Sequence, residues 1–193
     1  MRICVYGAAS TAIDNSFVQI TEKMGGEMVA RGHSLVFGGG GNGLMGAAAR
    51  GVKKAGGHIL GVIPKFFDNE NVEAIFGDCD ELIMPNTMRE RKQIMEDNAD
   101  AFLVTPGGIG TFEEFFEILT LKQLCRHNKP IAIYNIDGYY NEMLYAMEQS
   151  ISKGFIKDNC RKLYFVSDNL EEIFKYIEAP AEEIKSVKEL KDG

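Results

Sequence analysis

The sequence predicts an α/β fold: a single-domain, Rossmann-like, doubly wound and mostly parallel sheet flanked by helices. Short apolar runs alternate with longer helical patterns from one end of the chain to the other. Several of the short runs are apolar at every position, which is typical of parallel strands covered by helices on both faces. Alternation of strand and helix over this length indicates a doubly wound sheet.

The elements follow one another in a regular order. The first strand is a short apolar run that precedes Gly7. Every predicted strand except 58–63 is followed by a helical pattern of ten or more residues. Residues 64–80 have no clear period, and long irregular connections in compact domains are often functional. We expect one domain over residues 1–178 and a charged tail over 179–193. The predicted strands are 2–6, 34–37, 58–63, 81–84, 101–105, 130–134 and 162–166, and the predicted helices are 13–31, 44–56, 87–98, 111–126, 138–153 and 168–178.

Composition excludes several classes of protein. The 193 residues are 45% hydrophobic and 25% charged, with a net charge of −7, as in an ordinary globular domain. An acidic chain argues against a surface that coats nucleic acid, although one small anionic ligand can still bind at a locally positive site. No apolar run approaches the ~20 residues of a membrane span. The four cysteines show no zinc-ligand spacing and no secretory pattern precedes them, so we expect free thiols in the cytoplasm.

Two glycine-rich turns, residues 38–46 and 106–111, each follow a predicted strand and open a predicted helix. Glycine lets the backbone approach a ligand closely, and the N–H groups of the following helix can face an anion. Both turns lie at the carboxyl ends of strands, where open α/β sheets bind ligands. We therefore expect a phosphate site, with Gly39 and Gly40 on one side and Gly107 on the other.

Sequence motifs narrow the class of phosphate-containing ligand that this site is expected to bind. Residues 41–46 match GxGxxG, but this run follows the second strand, and the next strand ends without an acid to hold a ribose. There is no GxxxxGK[ST] motif, so a P-loop ATPase is excluded. A mononucleotide or sugar phosphate remains, with no cofactor and no metal expected.

Two charged residues near these turns each allow two interpretations. Glu114 could complete a capping box with Thr111, or its carboxylate could act in the crevice. Arg91 shares a helix face with Met88 and Met95, so its guanidinium either pairs with a buried acid or lines a cavity. Lys92 follows Arg91, and a helical lysine usually faces solvent.

Three segments taken together resemble the LONELY GUY family, the cytokinin-activating phosphoribohydrolases long mislabelled as lysine decarboxylases. They are the glycine-rich run 38–46, the MxxRKxxM motif of residues 88–95 and the PGGxGTxxE motif of residues 106–114. The resemblance covers roughly residues 1–165, and the last two motifs are highly specific as a pair.

The resemblance implies hydrolysis of the N-glycosidic bond of a nucleoside 5′-monophosphate, AMP or an N6-modified AMP, to free base and ribose 5-phosphate. It also implies a homodimer. The family's catalytic residues fall on Arg91 and Glu114. The substrate-binding residues matched to the family or to the motifs are Met88, Lys92, Gly107, Gly108, Ile109, Gly110, Thr111, Thr120 and, in the loop after residue 64, Glu70.

Three departures from the family pattern concern the choice of base. Residues 6–10, Tyr-Gly-Ala-Ala-Ser, stand where the family usually has Cys-Gly-Ser-Ser. Thr105 replaces a common leucine, and Leu121 replaces a frequent tryptophan. The alternative from another class is a non-catalytic nucleotide or molybdenum-cofactor carrier. The presence of both Arg91 and Glu114 favours the enzyme, because a carrier needs only the phosphate loops.

Overall fold

Seven parallel strands form one sheet in the order β4-β3-β2-β1-β5-β6-β7, which confirms the predicted fold class. The structure is a computed structural model and describes residues 1–69, 73–181 and 187. The strands are β1 (Arg2–Tyr6), β2 (Ser34–Phe37), β3 (Ile59–Val62), β4 (Glu81–Ile83), β5 (Ala101–Val104), β6 (Ile131–Tyr134) and β7 (Phe165–Ser167). The helices are α1 (Asn15–Ala30), α2 (Gly43–Lys54), α3 (Lys65–Asn69), α4 (Met88–Asn98), α5 (Ile109–Gln123), α6 (Asn141–Ser152) and α7 (Leu170–Glu178).

The core has two layers, one on each face of the sheet. On one face Ile3 and Val5 of β1 pack with α1, α2 and α7. On the other face Cys4 and Tyr6 pack with α4, α5 and α6. Side chains of a strand alternate between faces, so a strand covered on both sides must be apolar throughout. This arrangement explains the continuous apolar runs of the sequence.

The boundaries of several elements differ from the prediction. β7 begins at Phe165 rather than at residue 162, because Asp158–Leu163 forms a 3-10 helix that uses the start of the predicted strand. The connection 64–80 is not wholly irregular, since α3 lies within it and Ile75 forms an antiparallel bridge with Gly40. α5 begins at Ile109, two residues before the prediction. Local periodicity does not detect bridges or short helices of this kind.

All four cysteines are free thiols; Cys4 and Cys160 are buried, Cys79 is half-buried and Cys125 is exposed. Within the described ranges, none of the helices combines the length and the apolar character that crossing a membrane requires.

Candidate active site

The candidate site lies where the strand order reverses, at the carboxyl ends of β1 and β5. The turn after β1 links the two glycine-rich turns through one residue. The Ala8 N–H donates to the Pro106 carbonyl at 3.0 Å, and the Ala8 carbonyl accepts from the Leu44 N–H at 2.8 Å. The three turns therefore form one continuous rim of the crevice.

The turn after β5 presents an open helix N-terminus. Gly108 is the N-cap of α5, no side chain of the described chain caps this end, and its first turn carries no acidic residue. Gly108 and Gly110 have open space where a side chain would be, and Ile109 is 88% exposed. Tyr139 fixes the turn from behind, since its hydroxyl donates to the Gly107 carbonyl at 2.8 Å. Free N–H groups and the positive end of the helix dipole suit this turn to an anion.

The turn after β2 differs from the expectation of a second open helix terminus. The N–H groups of Leu44 and Met45, at the start of α2, both donate to the Ala8 carbonyl, at 2.8 and 3.3 Å. This end of α2 is therefore occupied by backbone, and the GxGxxG match does not form an open phosphate cradle. Gly39 has a φ of +78°, a conformation that favours glycine.

Arg91 and Glu114 form a buried ion pair at the floor of the crevice. Arg91 Nη1 donates to Glu114 Oε1 at 2.9 Å, and the two side chains are 7% and 8% exposed. Arg91 Nε donates to the Val62 carbonyl at 3.1 Å, which fixes the plane of the guanidinium. Its Nη2 lies against Gly38, where any Cβ would overlap with it. Arg91 thus both pairs with a buried acid and borders the glycine turn, so the two interpretations of this residue are combined.

Glu114 is not a capping residue. Because α5 begins at Ile109 with Gly108 as its N-cap, Thr111 lies inside the first turn and Glu114 in the second. The capping-box interpretation is therefore wrong. Burial raises the pKa of Glu114 to about 7, although Arg91 partly offsets this effect. A carboxyl group that titrates near neutrality beside a ligand crevice is suited to proton transfer or cation stabilisation.

The other residues matched to the family are spread around this pair. Lys92 does not face solvent: its side chain is 13% exposed and pairs with Glu113, and with Glu117 at 2.6 Å. Burial alone would lower the pKa of Lys92, but these hydrogen bonds outweigh burial and raise it. Thr120 lies exposed on α5, and Met88 is 38% exposed rather than buried with Met95. Glu70 lies outside the described residues.

The departure at position 105, where threonine replaces a common leucine, places a side chain directly against Gly7. A Cβ at Gly7 would overlap with the Thr105 Oγ1 atom. That hydroxyl donates to the Tyr6 carbonyl at 3.0 Å, and the Thr105 carbonyl accepts from the Tyr140 hydroxyl at 2.7 Å. Thr105 therefore fills the space that a side chain at position 7 would need, and its contacts lie within the rim.

Sequence reasoning missed two features of the site. Glu73 has a buried Oε1 atom that lies against Gly40, and the period of the sequence around it contains no signal for this contact. Tyr139, which lies just before α6, supports the turn after β5, and only the DGYY segment that contains it could have pointed to this contact. Among the residues that the structure describes, no three His, Cys, Asp or Glu side chains converge on a potential metal site.

Comparison with known proteins identifies the family. A family model described as "Possible lysine decarboxylase" matches residues 45–177. The cytokinin riboside 5′-monophosphate phosphoribohydrolase LOG5 of Arabidopsis thaliana is 37% identical over 179 residues, covering 92% of this chain and 77% of that protein. The probable phosphoribohydrolase LOG4 of Oryza sativa subsp. japonica is 39% identical over 180 residues, covering 93% of this chain and 77% of that protein.

Several solved structures are similar to this chain in fold. The molybdenum cofactor carrier protein of Chlamydomonas reinhardtii has a TM-score of 0.68 at 19% identity, covering 92% of this chain and 95% of that one. The molybdenum cofactor binding protein of Rippkaea orientalis has a TM-score of 0.66 at 20% identity, covering 92% and 93%. Identities this low support a shared fold alone. The family match and the plant relatives, by contrast, place the chain plainly: it belongs to the LONELY GUY family, whose model carries the lysine decarboxylase description.

Proposed function

We propose that this protein hydrolyses the N-glycosidic bond of a nucleoside 5′-monophosphate, giving a free base and ribose 5-phosphate. The observation that carries the proposal is the buried Arg91–Glu114 pair, which lies one turn below the uncapped N-terminus of α5. The names of the plant relatives, which act on cytokinin riboside 5′-monophosphates, support the same chemistry.

The open end of α5 supports a role in holding the 5′-phosphate. Its N–H groups would donate to the phosphate oxygens. No side chain at Gly108 or Gly110 would block the phosphate from reaching them, because both positions face open space. Glu114 follows Ile109 by five residues, which corresponds to about 7–8 Å along the helix axis. A ribose linked to the docked phosphate would then lie over the carboxyl group.

Cleavage of the glycosidic bond places positive charge on the ribose ring, as in the hydrolysis of O-glycosides. The Glu114 carboxylate would stabilise this oxocarbenium character and orient the attacking water. Arg91 would hold the carboxylate in place and keep a share of it ionised at neutral pH, since its charge lowers a pKa that burial raises. A carrier protein would need the phosphate turn but not this pair, and the likeness to molybdenum cofactor carriers supports the fold alone.

The decisive experiment is a comparison of substrates. The purified protein is incubated with AMP, with N6-isopentenyl-AMP and with adenosine, and free base is measured by chromatography. We expect base from at least one nucleotide and almost none from adenosine, because the donors of α5 would have no anion to bind. Equal rates on adenosine and AMP would contradict the phosphate role, and no release from either nucleotide would contradict the activity.

We also propose a homodimer, which the family resemblance implies, and a cytoplasmic location, which the free thiols favour. Phe116 on α5 and Leu124 at its C-terminal end lie exposed, as does Thr120 between them, which leaves apolar surface for a second copy to cover. Sedimentation velocity on the purified protein would measure the mass in solution, and a monomer at micromolar concentration would contradict this assembly.

A further inference from the structure

The segment 73–76 lies directly across the glycine turn that follows β2. The Gly41 N–H donates to the Ala74 carbonyl at 2.6 Å, and the Phe76 N–H donates to the Gly39 carbonyl at 2.8 Å. Gly40 and Ile75 form an antiparallel bridge between these two bonds. The backbone of this segment is therefore held against the rim of the site.

The Glu73 carboxyl points into the space beside this turn. Its Oε1 atom is shielded from solvent and has no hydrogen-bond partner among the described residues. A Cβ at Gly40 would overlap with the same atom, so glycine at position 40 is what makes room for the carboxyl group. A buried acceptor that the protein leaves unsatisfied is costly, and such groups commonly belong to a functional site.

Burial, rather than the surrounding charge, shifts Glu73 toward the protonated form of its carboxyl. Burial raises the pKa of Glu73, and the charge of Arg91 lowers it only in part. Arg91 is already paired with Glu114, and Arg50 of α2 donates to the Gly41 carbonyl at 3.1 Å. The glycine turn itself carries no titratable side chain. A neutral carboxyl needs no donor from the protein, and its own proton is then available to a ligand.

We propose that Glu73 is the general acid that protonates the leaving base. This inference rests on the proposed function. The turn after β2 and the turn after β5 lie on opposite sides of β1, with Arg91 and Glu114 below them. A phosphate docked at the β5 turn places the base toward the β2 turn, where Glu73 lies against Gly40.

The atoms and electrons of the step balance. The bond between C1′ of the ribose and the ring nitrogen of the base breaks, and its electron pair stays with the base. The Glu73 carboxyl gives its proton to a ring nitrogen of the base, which departs neutral. Water attacks C1′ and loses its proton to the Glu114 carboxylate, so the net reaction consumes one water molecule. Proton exchange with solvent then restores both carboxyl groups.

The test compares two substrates that differ in their need for an acid. AMP requires protonation of its base, whereas 7-methyladenosine 5′-monophosphate carries a permanent positive charge and loses neutral 7-methyladenine without it. We expect Glu73→Gln to lower the turnover of AMP by about 10²-fold, the effect typical of a positioned acid. The same variant should hydrolyse the 7-methyl substrate at the wild-type rate.

The pH profile on AMP gives a second, independent readout. The acid must hold its proton, so wild-type turnover should fall as the pH rises through the pKa of Glu73, and Glu73→Gln should lose this decline. Asp78→Asn is the matched control, because Asp78 is an exposed carboxylate two residues beyond the segment 73–76. It should leave both the rates and the profile unchanged.

Each outcome decides the proposal. An equal loss on both substrates would show that Glu73 only supports the turn, and an unchanged rate or an unchanged pH profile on AMP would exclude it as the acid. If the wild-type protein hydrolyses AMP but not the 7-methyl substrate, the pH profile of Glu73→Gln on AMP decides alone. A wild-type protein inactive on both nucleotides would overturn the proposed function itself, which is a distinguishable result.

Discussion

Two opposing effects of its environment act on the pKa of the Glu114 carboxyl group. Its burial among apolar side chains favours the neutral acid, while Arg91 at 2.9 Å favours the carboxylate. Burial is the larger effect, and the pKa is about 7. The group can therefore accept a proton from water at neutral pH and return it afterwards.

Replacing Glu114 by Gln keeps the size of the side chain and removes its charge. We expect base release to fall by at least ~10²-fold while the protein stays folded, because the variant cannot stabilise the ribose cation or accept the proton of water. For the wild type, turnover should fall as the pH drops through about 7, since the carboxylate then becomes protonated. Chromatographic rates between acid and mildly basic pH, with circular dichroism as control, measure both effects. A fully active Glu114→Gln would contradict the assignment.

Arg91→Ala leaves Glu114 buried without its partner. We expect the resulting loss of unfolding free energy to depend on pH. Loss of a buried partner typically destabilises a protein by about 3–5 kcal/mol. Without Arg91 the folded-state pKa of Glu114 rises further, so the folded protein binds a proton more tightly than the unfolded chain. Stability is then lost as the pH rises. Urea unfolding should therefore show that Arg91→Ala loses more unfolding free energy, relative to the wild type, above pH ~7 than below it.

The double variant Arg91→Ala/Glu114→Gln is the control for this prediction. It has no buried carboxyl group at position 114, so the difference between acid and basic pH should disappear. A cost of equal size on both sides of neutrality in the single variant would show that packing of the Arg91 side chain, rather than its charge, stabilises this region.

Lys122 is a buried cation that the proposed chemistry does not use. It is 4% exposed, no acidic side chain of the described ranges forms an ion pair with it, and burial lowers its pKa from 10.5 to about 8. Because the folded-state pKa lies below the unfolded value, the folded protein is penalised at pH values below 8, and the penalty disappears as the pH rises toward 10.5.

We expect Lys122→Met to stabilise the protein at neutral pH by about 1–3 kcal/mol, because an apolar chain of similar length removes the buried charge. The gain should vanish near pH 10.5, where the lysine is neutral in both states. Chemical unfolding at both pH values measures the effect, with the exposed Lys23→Met as control. A variant less stable than the wild type at pH 7 would indicate that the ammonium has an unrecognised stabilising contact.

At the scale of elements, the site depends on two neighbouring helices. Thr87 caps α4, since its Oγ1 accepts from the Glu90 N–H at 3.1 Å, and Glu90 in turn accepts from the Asn86 N–H at 2.8 Å. This capping starts α4 at Met88, so that Arg91 lies in the first turn, below the crevice. α5, in contrast, begins without a side-chain cap and leaves its donors to a ligand.

The open end of α5 predicts the effect of a side chain at position 108. Gly108 has a φ of −96° and open space around a Cβ, so Gly108→Val should fold normally. The valine would nevertheless project into the phosphate approach and raise the KM for AMP by at least about tenfold, equivalent to ~1.4 kcal/mol. Steady-state kinetics measures the change in KM, and the melting temperature measures whether the variant folds normally. Gly26→Val on α1, on the opposite face of the sheet, should change neither, and an unchanged KM for Gly108→Val would place the phosphate elsewhere.

At the scale of the molecule, the described elements up to α7 complete both layers of the core. Ile173, Phe174 and Ile177 of α7 are buried against the sheet, and Glu178 pairs with His33 at 2.9 Å. We propose that residues 1–178 form the functional domain and that the remaining charged tail is dispensable. The fold of the sheet and the position of the site do not require it.

Deletion of residues 180–193 should therefore leave the melting temperature and the rate of base release close to those of the full chain. A deletion from residue 170 onward should fail to fold, because it removes the buried face of α7 and exposes the apolar residues of one layer. Thermal melting and size exclusion of both truncations check the prediction. Aggregation or loss of activity in the shorter deletion would show that the tail contributes to the domain.

The order of the elements and the place of the candidate site could be predicted from the sequence. Continuous apolar runs predicted buried parallel strands, because only such strands need apolar residues on both faces. The turn at residues 106–111 predicted an anion site, since glycine before a helix is a local signal. The position of Arg91 on an apolar stripe indicated that its charge had a buried function.

Only the tertiary structure decided which groups meet in that site. Arg91 and Glu114 are 23 residues apart, and periodicity along one helix contains no information about the helix that packs beside it. For the same reason the sequence left the capping-box interpretation of Glu114 open, although α5 begins two residues before the predicted start. It also predicted an open terminus for α2, which the Ala8 carbonyl occupies. The local pattern specifies how each segment folds, whereas the approach of distant segments through sheet pairing and burial determines what each polar group faces.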